Sequence, residues 1–499
     1  MSEKYKAVII GAGIGGITTA VYLAKNGYSV SVYEKNSAPG GRCGQLVRDG
    51  YRFDLGATML IMPGIYSDVF GSLGIKLEKG IDIMPLDDLY NICFDNDDCL
   101  AFTTDTRRME MQLEKIEPGS YEKSQKYVTK GYEIFRLGMD KLIGRNFYNL
   151  FELVNFRNIG LLIKLKTYIS NWAYASKFFR HPHLLMAYTF QNIYVGQSPF
   201  NSPALFSMVP AAELTEGSFF PKGGMFAIVE KLCSTAEAAG VKFYYNTPVA
   251  GIKINNNKAE GIKFEDGTII KADIIVANAD LPYVYRRLLP GSRKSARIDR
   301  LKYSCSAICF HWGLDKSYPR LGHHTVFLSD DFKNGLDRIF IDKSVNDKPS
   351  FYVHAPVRSD PSAAPPGHEA LSIAVGAGHI DLSKNQDWER LKQQTRVAVI
   401  DRLKRYGLDD IEDHIRYEKC YTPESWEDAC NISRGSVFGS LGHNILQMGY
   451  FRPHNRHDRY HNLYFVGGST HPGNGIPNVL MSAKLTSERI LKEHKQNNK

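Results

Sequence analysis

Near the start of the chain, Gly11-Ala12-Gly13-Ile14-Gly15-Gly16 is a G-x-G-x-x-G run, a spacing able to cradle a phosphate. Gly11 permits a tight turn, Gly13 lets the backbone approach a pyrophosphate, and Gly16 lets a helix pack closely on a strand. The N-terminus of that helix would turn free N–H groups toward the anion. Glu34, about twenty residues on, is placed to accept hydrogen bonds from an adenosine ribose and to repel a 2′-phosphate, which disfavours NADP. A second cluster follows in Pro39-Gly40-Gly41-Arg42 and Asp54-Leu55-Gly56-Ala57-Thr58. Arg42, next to Gly41, would bring a cation to the pyrophosphate, while Gly56, beside Thr58, would leave room for an isoalloxazine ring. A nicotinamide enzyme has no need of this second cluster, so the expected dinucleotide is FAD.

The other end of the chain carries matching chemistry. His461 to Gly468 reads as an apolar strand entering a glycine turn, and Ser469 to Asn478 leads into a helix with Pro477 in its first turn. That helix N-terminus would set partial positive charge against the glycine loop, where a reduced flavin needs it. Gly468, Asn474, Ile476 and Pro477 are therefore expected at the cofactor, and His471 as a packed loop histidine.

The elements that must position these residues are also legible. Lys6 to Ile10 is a continuous apolar run of the kind buried in a parallel sheet. Ile17, Ala20, Val21, Leu23 and Ala24 then recur at helical spacing, Gly27 ends the helix, and Ser29 to Tyr33 returns as a strand. Further on, Val241 to Val249 and Gly251 to Ile254 alternate as strands, with Asn255 to Lys258 as a hairpin turn. The chain of 499 residues has 43% hydrophobic and 23% charged residues with a net charge of +9, which is ordinary globular usage and excludes collagen, coiled coil and general disorder. No apolar run approaches the length that crosses a bilayer as a helix. The eight cysteines form no C-x-x-C pair, so neither a disulfide scaffold nor a metal site is expected, and a reducing cytoplasm is the default setting.

With these residues in view, the chain resembles the phytoene desaturase family of carotenoid enzymes, the bacterial and fungal type, including its diapophytoene (C30) branch. The resemblance runs nearly end to end. Beyond the glycine fingerprint it is carried by Phe220-Pro221-Lys222-Gly223-Gly224-Met225, Ala272 to Asp280, His323-His324-Thr325, Tyr352 to Pro356, Asp360-Pro361-Ser362, Gly435 to Gly439, Phe451-Arg452-Pro453 and the Thr470 to Pro477 segment. It implies an α/β fold, with an FAD-binding Rossmann-like domain of the glutathione-reductase and amine-oxidase type and an inserted α+β substrate domain. The flavin domain would be discontinuous, over residues 1–95, 215–300 and 455–499, and the insertions 96–214 and 301–454 would build the substrate-binding, membrane-contacting domain. The resemblance further places Val249 near the adenine and Asn278 beside the cofactor. Ala57 departs from the proline common in the family, while Gly468-Ser469 and Asn474 resemble the C30 branch.

The activity so implied is FAD-dependent desaturation: hydride passes from one carbon of a polyene to flavin N5, a proton leaves the neighbouring carbon, and oxygen or a quinone takes the electrons. His323, His324, His354, Glu213 and Asp360 are all open as a base, and none is assigned. Between Lys141 and Arg180, seven basic residues are interleaved with Phe147, Tyr148, Phe151, Phe156, Trp172, Tyr174, Phe178 and Phe179. That pattern suits a lipid interface, on the cytoplasmic face of a bacterial membrane, better than nucleic acid, for which no motif is present. Two alternatives share the same motifs: a carotenoid oxygenase or 3,4-desaturase acting on an already desaturated carotenoid, and a non-catalytic lipid-binding escort.

Overall fold

The computed structural model describes residues 5–149, 152, 156–289, 291 and 293–497. The elements that position the site run, in chain order, β1 (Lys6–Ile10), α1 (Ile14–Lys25), β2 (Ser29–Tyr33), α2 (Phe226–Ala238), β3 (Ile274–Ala277), β4 (His324–Phe327), β5 (Phe351–His354), β6 (Glu369–Ala377), β7 (Leu463–Phe465) and α3 (Ile476–Asn497).

β1 is the middle strand of a five-stranded parallel sheet, in the order β7, β3, β1, β2 and then Lys242–Tyr244. Its apolar run is continuous because both faces are covered. Ala7 and Ile9 point into a core shared with Ile17 and Val21 of α1, Leu232 of α2 and Leu480 of α3. Val8 and Ile10 point the other way, to Val249, Ile252 and Ile262 of a small antiparallel layer. Each such Ile or Val contributes on the order of 1.5–3 kcal/mol on burial. The hairpin turn expected at Asn255 to Lys258 joins Gly251–Asn255 to Lys258–Lys263.

The second sheet has seven strands, ordered Ile415–Tyr421, Ser306–Leu314, β6, β5, β4, Asp88–Cys93 and Cys99–Thr103. All its pairs are antiparallel except β4 with Asp88–Cys93. The domain boundary expected at residue 95 runs through the turn of its last hairpin. That hairpin also corrects the reading of the cysteines: Cys93 and Cys99 lie opposite each other across the two strands and form a disulfide. Spacing alone gave no sign of it, because strand pairing is what draws their Cα atoms to 4.1 Å. Among the described residues, no helix is long and apolar enough to cross a membrane.

Candidate flavin and active site

The glycine turn after β1 is tight enough to dictate its residues. A Cβ on Gly16 would stand 2.3 Å from the Gly11 carbonyl oxygen, and one on Gly13 would stand 2.9 Å from Nδ2 of Asn278. Gly11 has φ +94°, a conformation that side chains rarely adopt. Asn278, at the end of β3, donates from Nδ2 to the Gly11 carbonyl at 3.2 Å and so braces the turn. Gly13 caps α1 without any side chain, which leaves the first N–H groups of the helix without a side-chain acceptor at the cap. Glu34 is buried; its two oxygens accept from the backbone N–H of Ala12 at 2.8 Å and of Asn36 at 2.9 Å. Each keeps a further lone pair for a ribose hydroxyl. Thr247 N–H donates to the Glu34 carbonyl at 2.8 Å, which brings Val249 to the same corner.

Gly41 and Arg42 tie the two ends of the chain together. Arg42 donates from Nη1 to the Val437 carbonyl at 2.8 Å, and its Nη2 lies 3.0 Å from where a Gly468 Cβ would be. A Cβ on Gly56 would fall 1.8 Å from the Arg42 carbonyl oxygen, so the two turns are in backbone contact. Gly468 in turn accepts from Arg452, whose buried guanidinium also bonds the carbonyls of Thr470, Gly442, Gln447 and Leu441. Burial, with no carboxylate partner among the described residues, brings this guanidinium down to about 9. Sequence reasoning assigned Arg452 no role; an arginine in an irregular loop shows its five carbonyl partners only once the loop is folded.

Asn474 is buried, donates from Nδ2 to the Tyr194 carbonyl at 3.3 Å, and its Oδ1 finds no hydrogen-bond partner among the described residues. Ile476 begins α3 inside the first core, with Pro477 in the opening turn. His471 is packed as expected, Nε2 against the Arg145 carbonyl at 2.9 Å. Thr58 meets the second sheet: its Oγ1 is 2.6 Å from the hydroxyl of Tyr352 on β5. Tyr352 and Tyr194 both line an apolar cavity of about 90 Å³, walled by Val326, Phe332, Leu336 and Ile339. Neither tyrosine was expected at the site from sequence; both reach it through tertiary packing.

The five base candidates separate once their partners are known. Asp360 accepts from Arg52 at 2.5 Å and from Gly223 N–H at 2.8 Å, so it holds the Pro221–Met225 turn. Glu213 is fully buried and accepts from the Tyr90 hydroxyl at 2.8 Å, with Oε1 unpartnered among the described residues. Burial pushes its carboxyl up to about 8. His323, His324 and His354 form one buried cluster, each offering a ring nitrogen within 4.8 Å of the others. Burial drives all three below the ordinary histidine range, His323 to about 3.

A turn that admits no Cβ, an uncapped helix N-terminus, a buried carboxylate with lone pairs to spare and an unpartnered Asn474 oxygen in the opposite loop fit a flavin dinucleotide. Comparison with known proteins agrees. Residues 14–491 match the family of flavin containing amine oxidoreductases. The chain is 37% identical over 492 residues to the zeta-carotene-forming phytoene desaturase of Myxococcus xanthus, spanning 98% of this chain and 94% of that relative. It is 33% identical over 502 residues to the 4,4′-diapophytoene desaturase (4,4′-diaponeurosporene-forming) of Staphylococcus aureus, spanning 98% and 99%. Putrescine oxidase bound to putrescine superposes with a TM-score of 0.64 at 14% identity over 98% of this chain and 99% of that one, which shows a shared fold. The chain therefore belongs to the flavin-containing amine oxidoreductases and, within them, to the phytoene desaturase relatives, as an FAD-dependent oxidoreductase.

Proposed function

We propose that this enzyme is a carotenoid desaturase that adds double bonds to a long apolar polyene of the phytoene or diapophytoene type. The observation that carries the reading is the apolar cavity between Tyr194 and Tyr352, because those two residues lead directly to Asn474 and Thr58. An amine substrate would call for charged partners; the walls here are mostly aliphatic and aromatic, with Asn346 and Ser350 as the polar members and no charged residue among those lining it. At about 90 Å³ the cavity is smaller than the usual ligand pocket of roughly 300–1,000 Å³, so it has to widen to admit the polyene.

In this reading Gly11, Gly13 and Gly16 with the N-terminus of α1 take the pyrophosphate, Glu34 the ribose and Val249 the adenine, with Asn278 bracing the turn. Gly41 and Arg42 border the phosphates. Gly56, Thr58, Gly468 and Asn474, with the N-terminus of α3 at Ile476 and Pro477, surround the isoalloxazine. FAD, when bound, supplies two-electron acceptance, which no side chain here provides. The protein's own task is to hold one C–C bond of the polyene in line and keep water out. The electrons leave to oxygen or a quinone. The five-stranded sheet with its helices serves as the flavin-binding part, and the seven-stranded sheet with the helices of the insertions as the substrate part.

Contact with a membrane belongs to the same reading. Tyr148, Ile163 and Tyr168 are exposed at 43%, 55% and 66%, and Leu446 and Phe451 at 69% and 46%. Their two segments share one small core, through Phe147, Leu161, Leu165, Met448 and Tyr450. Lys141 and Lys164 are exposed on the same segment. This patch suits a peripheral seat among lipid headgroups. It is narrower than the aromatic pattern implied, since Phe147, Tyr174 and Phe179 are in the core; Phe151 lies outside the described residues.

Expression in a host supplied with phytoene or with diapophytoene tests the reading through the absorption of extracted pigments and of the purified protein. A flavin spectrum with red-shifted pigment is expected. Flavin without any change in either pigment would overturn desaturation of these substrates.

A further inference from the structure

Each new double bond leaves two hydrogens to remove: one departs with both electrons of its C–H bond as hydride to the flavin, and the other leaves as a proton while its bonding pair becomes the new π bond. The proton is released in a dry apolar cavity and has to reach water. A second, open cleft of about 330 Å³ is lined by Asp87, Asp88, Asn91 and Arg108 together with His323, His324 and Ser359.

We propose that Tyr352, His324, His354, His323 and Ser359 form a proton path from the polyene cavity to this cleft; the proposal rests on the desaturase reading above. Tyr352 lines the cavity, and its hydroxyl lies 2.6 Å from Nδ1 of His324. Nε2 of His324 and Nδ1 of His354 are both buried and unpartnered among the described residues, on rings stacked with centroids 5.3 Å apart. Nε2 of His354 is 3.2 Å from Nε2 of His323, and Nδ1 of His323 is 2.7 Å from the Ser359 hydroxyl at the cleft. A proton accepted at Nδ1 of His324 frees the one on its Nε2, which crosses to His354 through ring rotation or a single water. His354 passes a proton to Nε2 of His323, and His323 releases its Nδ1 proton through Ser359. Every imidazole gains one proton at one nitrogen and loses one at the other, so the chain ends neutral.

The rings are neutral at rest. Burial, the Arg358 guanidinium beside His323 and the three rings' proximity to one another all oppose a lasting positive charge. A resident metal ion is a poorer use of the cluster. His323 spends both nitrogens on His354 and Ser359, and His324 spends one on Tyr352.

The test is single-turnover bleaching of the flavin in the purified holoenzyme by phytoene or diapophytoene in liposomes. His323→Asn, which keeps a polar partner for Ser359 and cannot relay, is expected to bleach at least about tenfold more slowly at unchanged flavin content, with imidazole in the buffer restoring part of the rate. Bleaching within about twofold of wild type, a loss that imidazole does not touch, or a metal bound one-to-one would overturn the proposal. Should the variant fail to fold, the wild type decides the matter: proton transfer along the path slows bleaching as the D₂O fraction rises, and a rate independent of D₂O excludes the path. No bleaching of wild type by either polyene would instead overturn the desaturase reading itself.

Discussion

The hydroxyl oxygens of Thr58 and Tyr352 stand 2.6 Å apart, and this contact joins the turn after the strand Tyr51–Asp54 to the cavity wall of the seven-stranded sheet. Tyr352→Phe would leave Thr58 Oγ1 and His324 Nδ1 buried without their partner. A stability loss of about 1–3 kcal/mol is expected, read by denaturant titration, with FAD content retained. Loss of FAD would show instead that the hydroxyl anchors the cofactor.

Gly56→Ala addresses the contact between the turns. The added Cβ would meet the Arg42 carbonyl oxygen at 1.8 Å, and neither backbone can yield without moving the Gly41-Arg42 turn. The variant is expected to purify without its flavin absorbance or not to fold; a yellow, fully loaded protein would contradict this geometry.

Glu213 sets a pH dependence of stability. Its carboxyl ordinarily titrates at 4.5 and in the fold at about 8. Between those values the folded protein holds a proton that the unfolded chain has released, so stability falls as pH rises, by at most about 1.4 kcal/mol per unit. Glu213→Gln keeps an acceptor for Tyr90 and removes the titration. Its melting temperature is expected to gain on wild type from about pH 5 to about pH 8. A constant difference across that range would mean Glu213 is not protonated in the fold.

Ala374 of β6 lines the cavity. Ala374→Phe should fill the 90 Å³ and abolish desaturation while leaving the flavin spectrum intact. Full activity with a normal spectrum would place the polyene elsewhere.

The exposed patch predicts behaviour on lipid. Ile163→Glu with Tyr168→Glu changes two side chains that are 55% and 66% exposed, so folding should be unaffected. Flotation with anionic liposomes is expected to fall sharply for the pair. Equal flotation would move the lipid contact to another surface.

The glycine turn, the buried acid and the start of α3 were legible in the sequence because their requirements are local. A turn that excludes Cβ demands glycine at Gly11, Gly13 and Gly16, Glu34 follows the second strand directly, and Pro477 stands in the first turn of α3. β1 was equally legible, since burial of both faces writes itself as an unbroken apolar run. The substrate side was not. Tyr194, Tyr352 and Arg452 are ordinary residues in sequence and acquire their roles from partners 280, 294 and 18 positions away. Asp360 and His323 were equal candidates as a base until folding gave one an arginine and the other a row of imidazoles. Cys93 and Cys99 became a pair only when strand register set them opposite each other. Backbone constraints act over a few residues and leave a mark in the sequence, whereas side-chain partnership across a core is decided by the sheet order that brings distant segments together.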